Sequence, residues 1–189
     1  MGQASDYSDH SKRVEDLIKD IEYLIYEIEA LKSVIFEVKY DDKPPGENQL
    51  SILDKIRLIG YIQNHYYEEL ARSIVDQKER SDSVNIEEVK SRFIKEVSAD
   101  PRQQQDAAHY LSEIIESRQR LLKQLRDLES KRWQQGLNRN EGGETGSITL
   151  WSLMEEMVEF ERNELKEIAD RVQVMSIDRE QQRQMRDQG

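Results

Sequence analysis

Apolar residues recur at alternating steps of three and four in four long segments of the chain. This spacing restricts the possible folds more than any other feature of the sequence. The first segment shows it in the residues Leu17, Ile21, Leu24, Ile28 and Leu31. A stripe with this period forms one face of an α-helix and has to be buried against other helices. Four such segments predict an all-α protein, a four-helix bundle.

The helix boundaries follow from turn-forming residues. We predict helices at about residues 11–38, 51–77 and 103–130, and a fourth that follows a glycine-containing, flexible or turn-rich loop at 134–147 and reaches residue 172. Ser51, with Asp54 three residues later, is a candidate N-cap for the second helix. The connection at 78–101 has room for a short helix at 86–97.

The predicted bundle forms a single domain over residues 11–172. Residues 1–10 are polar, without an apolar signal core, and are predicted to be disordered. Residues 173–189 contain few apolar side chains and are expected to form either a helical extension or a disordered tail.

Charge and composition exclude some classes of function. The formal net charge is −11, and the basic residues are interspersed with acidic ones, which argues against binding to the nucleic-acid backbone. No apolar run approaches the roughly 18 residues of a membrane span. The chain has no cysteine, so thiolate metal sites and cysteine nucleophiles are excluded. We expect a cytoplasmic protein with neither nucleic-acid nor membrane partners.

Several motifs, in their order and spacing, resemble the DinB/YfiT-like superfamily over about residues 11–172. The motifs are Arg118 within the leucine-rich run of Leu121, Leu122 and Leu125, then Trp133, the glycine-rich loop, the segment Gly-Ser-Ile-Thr-Leu-Trp-Ser-Leu-Met at 146–154, and Leu-Ser-Ile-Leu-Asp-Lys-Ile at 50–56. The superfamily includes thiol-dependent transferases and isomerases. The resemblance implies a bundle with a crossover between helices two and three, in an up-down-down-up order, and a possible homodimer.

The resemblance also implies a divalent metal, often nickel or zinc, held by three histidines. In this sequence the helix-two position falls on Arg57, with Leu58 as the neighbouring alternative, and the helix-four pair falls on Phe160 and Glu164. Neither arginine nor phenylalanine can coordinate a metal. We therefore predict that the family metal site is absent, with no cofactor, and that Arg57 pairs with Glu164 while Phe160 fills the remaining space.

A different metal site at His65 is left open. Glu68 and Glu69 follow it by three and four residues, a spacing that places the three side chains on one helix face. The alternative interpretation, which we prefer, is an exposed histidine beside two solvated carboxylates.

Polar residues at the centres of apolar stripes mark a second candidate site. Gln63, Arg118 and Glu161 each lie near the middle of a buried face, where an unpaired charge is costly. We predict a buried cluster in which Arg118 pairs with Glu161 and Gln63 supplies a further hydrogen bond. Such a cluster either aligns the helices or forms the floor of a ligand pocket.

The aromatic residues Tyr61, Trp133 and Trp151 either line a cleft near the helix ends or form the boundary layer of the bundle. Taken together, the sequence predicts a non-metal helical bundle that acts as a binding or interaction module, with a possible small-molecule ligand. The alternative is an enzyme, a thiol-dependent transferase or a metal-dependent hydrolase with a non-standard metal site.

Overall fold

A computed structural model describes residues 3–37, 39, 41, 49–76, 85–99, 106–141 and 144–187 of the protein. The helices are α1 (Gln3–Val34), α2 (Ile52–Ile62), α3 (Glu68–Asp76), α4 (Ile86–Ala99), α5 (Ala107–Arg126) and α6 (Leu150–Asp187). The strands β1 (Gly136–Glu141) and β2 (Glu144–Thr149) form an antiparallel pair. A π-helical segment, Gln63–Tyr67, joins α2 directly to α3, and 3-10 turns occupy Ile35–Glu37 and Ser130–Gln134.

The predicted all-α four-helix bundle is confirmed. Its four members are α1, the continuous rod from α2 to α3, α5 and α6. Helix α1 packs against α5 and α6, and α2 packs against the same two helices, while α4 covers the outer side of α2. The apolar stripes of the four members supply the core, from Val14 on α1 to Val172 on α6. Among the described residues, no helix has the length and apolar character needed to cross a membrane.

Contacts between α2 and α5 advance in the same direction along both helices. The guanidinium of Arg57 lies 5.7 Å from the centre of the Tyr110 ring, and one to two turns later Gln63 bonds to Ser117. Neighbours with this order of contacts run parallel. Parts of the connection between them, residues 77–84 and 100–105, lie outside the described residues. The crossover and the full up-down-down-up order stay predictions.

The start of α2 is fixed by the predicted cap. The hydroxyl of Ser51 accepts a hydrogen bond from the backbone N–H of Asp54 at 3.0 Å, and the Asp54 carboxylate accepts one from the backbone N–H of Ser51 at 3.3 Å. This reciprocal arrangement satisfies two amide groups that a helix end leaves free. It also fixes the direction in which the next residues of α2 point.

Two predicted segments need correction. Helix α1 begins at Gln3, so residues 3–10, predicted to be disordered, continue the helix; after Gly2 no glycine or proline interrupts the chain before Pro44. The segment predicted as a flexible loop at 134–147 lies largely in the two strands. At Gly136 a Cβ atom would lie 2.7 Å from the carbonyl oxygen of Ile148, so the close strand approach requires glycine.

For residues 173–189 we predicted either a helical extension or a disordered tail, and the structure has a helical extension. Helix α6 comprises 38 residues and continues to Asp187. At the usual rise per residue it is about 57 Å long. Its last buried core residue is Val172, and Met175 still packs against the core, so about the last three turns project past the bundle.

Candidate functional site

A polar cluster lies in the middle of the otherwise apolar core. Arg118 on α5 and Glu161 on α6 have no solvent-exposed surface, and the Nη2 of Arg118 forms an ion pair with Oε1 of Glu161. The same Nη2 donates to Oε1 of Gln63 at 3.2 Å. The structure thus brings together the three residues that the sequence pattern singled out.

Burial and the ion pair act in opposite directions on the pKa of Glu161. Burial raises the pKa of Glu161, because the charged carboxylate loses its hydration, and the neighbouring Arg118 opposes that shift. Among the described residues, neither Nε of Arg118 nor Oε2 of Glu161 has a hydrogen-bond partner. Each charge therefore depends on the other, and removing one would leave the second desolvated and uncompensated.

The cluster continues outwards through Gln63. The Nε2 of Gln63 donates to Oγ of Ser117 at 2.6 Å and to Oε1 of Glu68 at 3.2 Å. The hydroxyl of Ser117 donates to the same Glu68 oxygen, and it lies 3.5 Å from Oδ1 of Asn64. A chain of polar contacts therefore leads from the buried ion pair to the surface of α2 and α5.

The π-helical segment explains why this chain of contacts exists. The backbone N–H of Glu68 bonds to the carbonyl of Gln63, five residues earlier, which widens the helix by one residue. Tyr66 and Tyr67, although adjacent in sequence, are both fully buried as a result, and Gln63 still faces inward. Such single-turn widenings of a helix are frequent at functional sites.

A groove of about 690 Å³ opens above the polar contacts, between α2, α4 and α5. Gln63, Asn64 and Ser117 line its floor, and Tyr61, Phe93 and Tyr110 line its walls. The hydroxyl of Tyr61 donates to Oε1 of Glu96 at 3.1 Å. Burial and this carboxylate together raise the pKa of Tyr61, so the phenol stays protonated.

The three aromatic residues predicted to line one cleft do not share one. Tyr61 lies in the groove just described, whereas Trp151 lies in a second groove of about 630 Å³ between α1 and α6. Trp133 has no exposed surface, because the 3-10 turn after α5 carries its ring into the core, 6.3 Å from the ring of Trp151. The boundary-layer interpretation describes Trp151, which is partly buried, whereas Trp133 is a core residue.

Glu164, one of the family metal positions, is paired with a lysine. The Nζ of Lys55 donates to Oε2 of Glu164 at 2.7 Å and to Oε2 of Glu167 at 2.8 Å, and the lysine side chain is 9% exposed. Lys55 lowers the pKa of Glu167 by hydrogen bonding and by its charge. An ammonium group thus lies between two carboxylates on the face shared by α2 and α6.

The predicted ion pair between Arg57 and Glu164 is wrong. Arg57 lies 3.6 Å from Oδ1 of Asp54 and stacks over Tyr110. Two residues along an α-helix correspond to a rotation of about 200°. Arg57 therefore points towards α5, while Lys55 points towards α6 and takes the position that we predicted for the arginine.

Phe160, a family metal position, and His65, the alternative metal site, contact aromatic and charged side chains of the protein. The ring of Phe160 lies 6.2 Å from that of Tyr67 and 5.4 Å from the Nζ of Lys90. His65 is half exposed, 3.9 Å from a carboxylate oxygen of Glu69, and its ring contacts that of Tyr61 at 4.3 Å. Within the described ranges, no group of three or more histidine, aspartate or glutamate side chains is arranged to hold a metal ion.

Comparison with known proteins relates the chain to one solved structure. No protein-family model matches the sequence, and no curated protein matches it. The fold superposes on YfiT from Bacillus subtilis with a TM-score of 0.68, covering 87% of this chain and 89% of that one at 13% sequence identity. The chain has the fold of YfiT. The predicted resemblance to DinB/YfiT-like bundles is therefore confirmed at the level of the fold.

YfiT is described as "a probable metal-dependent hydrolase with an unusual four-helix bundle topology". At the three positions where the resemblance implies metal ligands, this sequence offers one side chain that could coordinate a metal, Glu164. The side chain that pairs with Glu164 is the Lys55 ammonium, which has no lone pair to donate, and Phe160, one turn earlier on α6, has none either. A lysine cation beside Glu164 also repels a second cation.

Sequence reasoning missed two important residues, Lys55 and Ser117. Lys55 left a signal, because it follows Ile52 by three residues and so lies on the same face as the apolar stripe of α2. Ser117 left none, since a serine on a helix is usually unremarkable. Only the packing of α5 against the π-helical segment gives it a role.

Proposed function

We propose that this protein is a metal-independent binding protein that takes a small polar organic molecule in the groove between α2, α4 and α5. One observation carries the proposal. The floor of the groove is a polar network at a π-helical widening, anchored on a fully buried ion pair. Several mutual hydrogen bonds hold Gln63, Ser117 and Glu68 in place at this floor, which favours a preformed site.

Binding is favoured over covalent catalysis by the state of Ser117. Its side chain is 4% exposed, and its hydroxyl contacts Gln63, Glu68 and Asn64 at once. An attacking hydroxyl needs free access to its substrate and a base that it can reach in the reacting geometry. Asn64, which is exposed at the groove, is better placed to contact a ligand.

The proposal is tested by screening small polar fragments against isotope-labelled protein and following backbone amide shifts. We expect hits to shift amides of Gly60, Asn64 and Ser117, and the variant Asn64→Trp to abolish them by filling the groove. Asn163→Trp is the matched control, because Asn163 is an exposed asparagine on α6 that lines the other groove. Hits that survive in Asn64→Trp and disappear in Asn163→Trp would overturn the assignment of the groove.

Metal independence has its own test. We expect the purified protein to contain far less than one equivalent of nickel, zinc or iron by elemental analysis, and chelation to leave its melting temperature unchanged. A stoichiometric metal would instead favour the alternative, a metal-dependent hydrolase. The homodimer and the cytoplasmic location stay predictions; light scattering on the purified protein tests the first.

A further inference from the structure

Two charged residues of the groove between α2, α4 and α5 have no partner within the part of the chain that the structure describes. Glu116 and Arg120 line it one turn apart on α5, and neither side chain forms an ion pair or hydrogen bond with another described residue. The other groove charges are engaged within the protein: Glu96 with Tyr61, Glu113 with His109 at 3.3 Å, and Arg57 with Asp54. Within the described residues, the groove thus holds a carboxylate and a guanidinium without partners, four residues apart on α5.

Another part of the groove is aromatic. The rings of Tyr61 and Phe93 lie 5.4 Å apart at an interplanar angle of 53°. Gly60 precedes Tyr61, and a Cβ atom added at Gly60 would lie 3.4 Å from the side chain of Ile114 on α5, so Ile114 lies level with this part of α2. Position 118, midway between Glu116 and Arg120, follows Ile114 by four residues, which corresponds to about 6 Å along the helix axis. The aromatic wall and the charged pair are therefore separated by the length of one small molecule.

We infer that the groove binds a small aromatic zwitterion, a molecule with an ammonium group, a carboxylate and an aryl ring, such as an aromatic α-amino acid. The ammonium pairs with Glu116, and the carboxylate receives the two parallel N–H bonds that a guanidinium offers. The aryl ring packs against Tyr61 and Phe93 in the offset or edge-on arrangement that aromatic pairs prefer. This inference rests on the proposed function and specifies its ligand class.

The ammonium, the carboxylate and the aryl ring of the ligand each have a different partner in the groove, so their contributions to affinity can be measured separately. Titration calorimetry, supported by ligand-observed NMR, measures the affinity of L-phenylalanine, phenethylamine, 3-phenylpropionate and L-alanine. Phenethylamine lacks the carboxylate, phenylpropionate lacks the ammonium, and alanine lacks the ring. We expect phenylalanine to bind at least about tenfold more tightly than each of the others, since each removed group forfeits a charged hydrogen bond or an aromatic contact.

Charge-neutral variants then assign each group. Glu116→Gln should weaken phenylalanine and phenethylamine by about tenfold and leave phenylpropionate unchanged, whereas Arg120→Gln should weaken phenylalanine and phenylpropionate and leave phenethylamine unchanged. Both positions are exposed on a helix, so the fold is retained. Glu159→Gln and Arg13→Gln, exposed residues of the groove between α1 and α6, are matched controls expected to change nothing.

Three results would overturn the inference: no binding of phenylalanine at millimolar concentration, equal binding of phenylalanine and phenylpropionate, or equal effects of Glu116→Gln and Arg120→Gln on all four probes. The fragment screen separates this failure from that of the proposed function. If non-zwitterionic fragments still shift amides at Asn64 and Ser117, the groove binds ligands of another class. If no fragment does so, both proposals fall.

Discussion

Replacing Arg118 by methionine should destabilise the protein severely while leaving its shape almost unchanged. The substitution fills a similar volume, but it leaves the Glu161 carboxylate fully buried without the one cation that pairs with it among the described residues. Breaking a buried ion pair by removing one partner costs about 3–5 kcal/mol. For a chain of this size, each kcal/mol corresponds to roughly 2–4 °C, so we expect the melting temperature to fall by roughly 6–20 °C.

The double variant Arg118→Met with Glu161→Met supplies the decisive comparison. Replacing both members of a buried pair by apolar side chains of similar size is often neutral, or stabilising by about 1–4 kcal/mol. We therefore expect the double variant to regain most of the stability that the single variant loses. Urea unfolding of wild type, both single variants and the double variant yields the coupling energy.

The pH dependence gives this prediction a second measurement. Burial raises the pKa of Glu161 above its value in the unfolded chain, about 4.3, so the folded state holds the proton more tightly. Stability linked to this group is then fully present below that pH and is lost as the pH rises through the folded pKa. In Arg118→Met the opposing charge is gone, so stability should fall more steeply with rising pH than in wild type.

The reasoning is refuted if Arg118→Met loses less than about 1 kcal/mol, since a truly buried orphan charge cannot be that cheap. It is also refuted if the double variant loses the sum of the two single losses. Additivity would mean that the two side chains act independently. Leucine at position 161, which lacks the carboxylate and is shorter than methionine, controls for the effect of side-chain volume.

Three further predictions concern the rest of the α2 region. Ser51→Ala should lose about 1 kcal/mol in urea unfolding, because the Asp54 amide loses its capping acceptor. Gln63→Leu should lose about 1–3 kcal/mol, because Arg118 and Ser117 each lose a buried hydrogen-bond partner, and a retained melting temperature would contradict the network. Lys55→Met should raise the lowered pKa of Glu167 back towards about 4.3, which carboxyl NMR measures. A folded pKa below the unfolded pKa stabilises the protein at pH values above the unfolded pKa, and this stabilisation is lost on acidification. The variant should therefore lose less stability than wild type between pH 6 and pH 3, by the part of the wild-type loss that this pair causes.

The parts of the structure that local pattern determines were accessible from sequence. The helical stripes fixed the bundle because an apolar face has few ways to be buried. The ion pair between Arg118 and Glu161 could be predicted, because both residues lie at the centre of an apolar face and an unpaired buried charge is costly. The cap at Ser51 follows from side-chain chemistry within one turn.

The parts that depend on how one element faces another were not accessible. The pairing of Lys55 with Glu164 joins residues 109 positions apart and depends on the relative rotation of α2 and α6. Sequence reasoning chose Arg57, two residues after Lys55, as the partner of Glu164, because it could not determine which face of α2 lies against α6. The hairpin was missed because glycine and asparagine in its sequence are equally typical of loops, and the strand pairing from Gly136 to Thr149 becomes evident only with both sides present.

The position of Lys55 also shows how the two sides of α2 differ in their charged contacts. On one helix, Lys55 faces α6 and Arg57 faces α5, so the two sides of α2 can serve separate purposes. An ammonium between Glu164 and Glu167 balances carboxylate charge without demanding the open coordination position that a catalytic metal needs. The α6 side is thereby closed by charge pairing. On the α5 side, Glu116 and Arg120 have no partner among the described residues and line a groove with a polar floor, and for this reason we propose that ligands bind there.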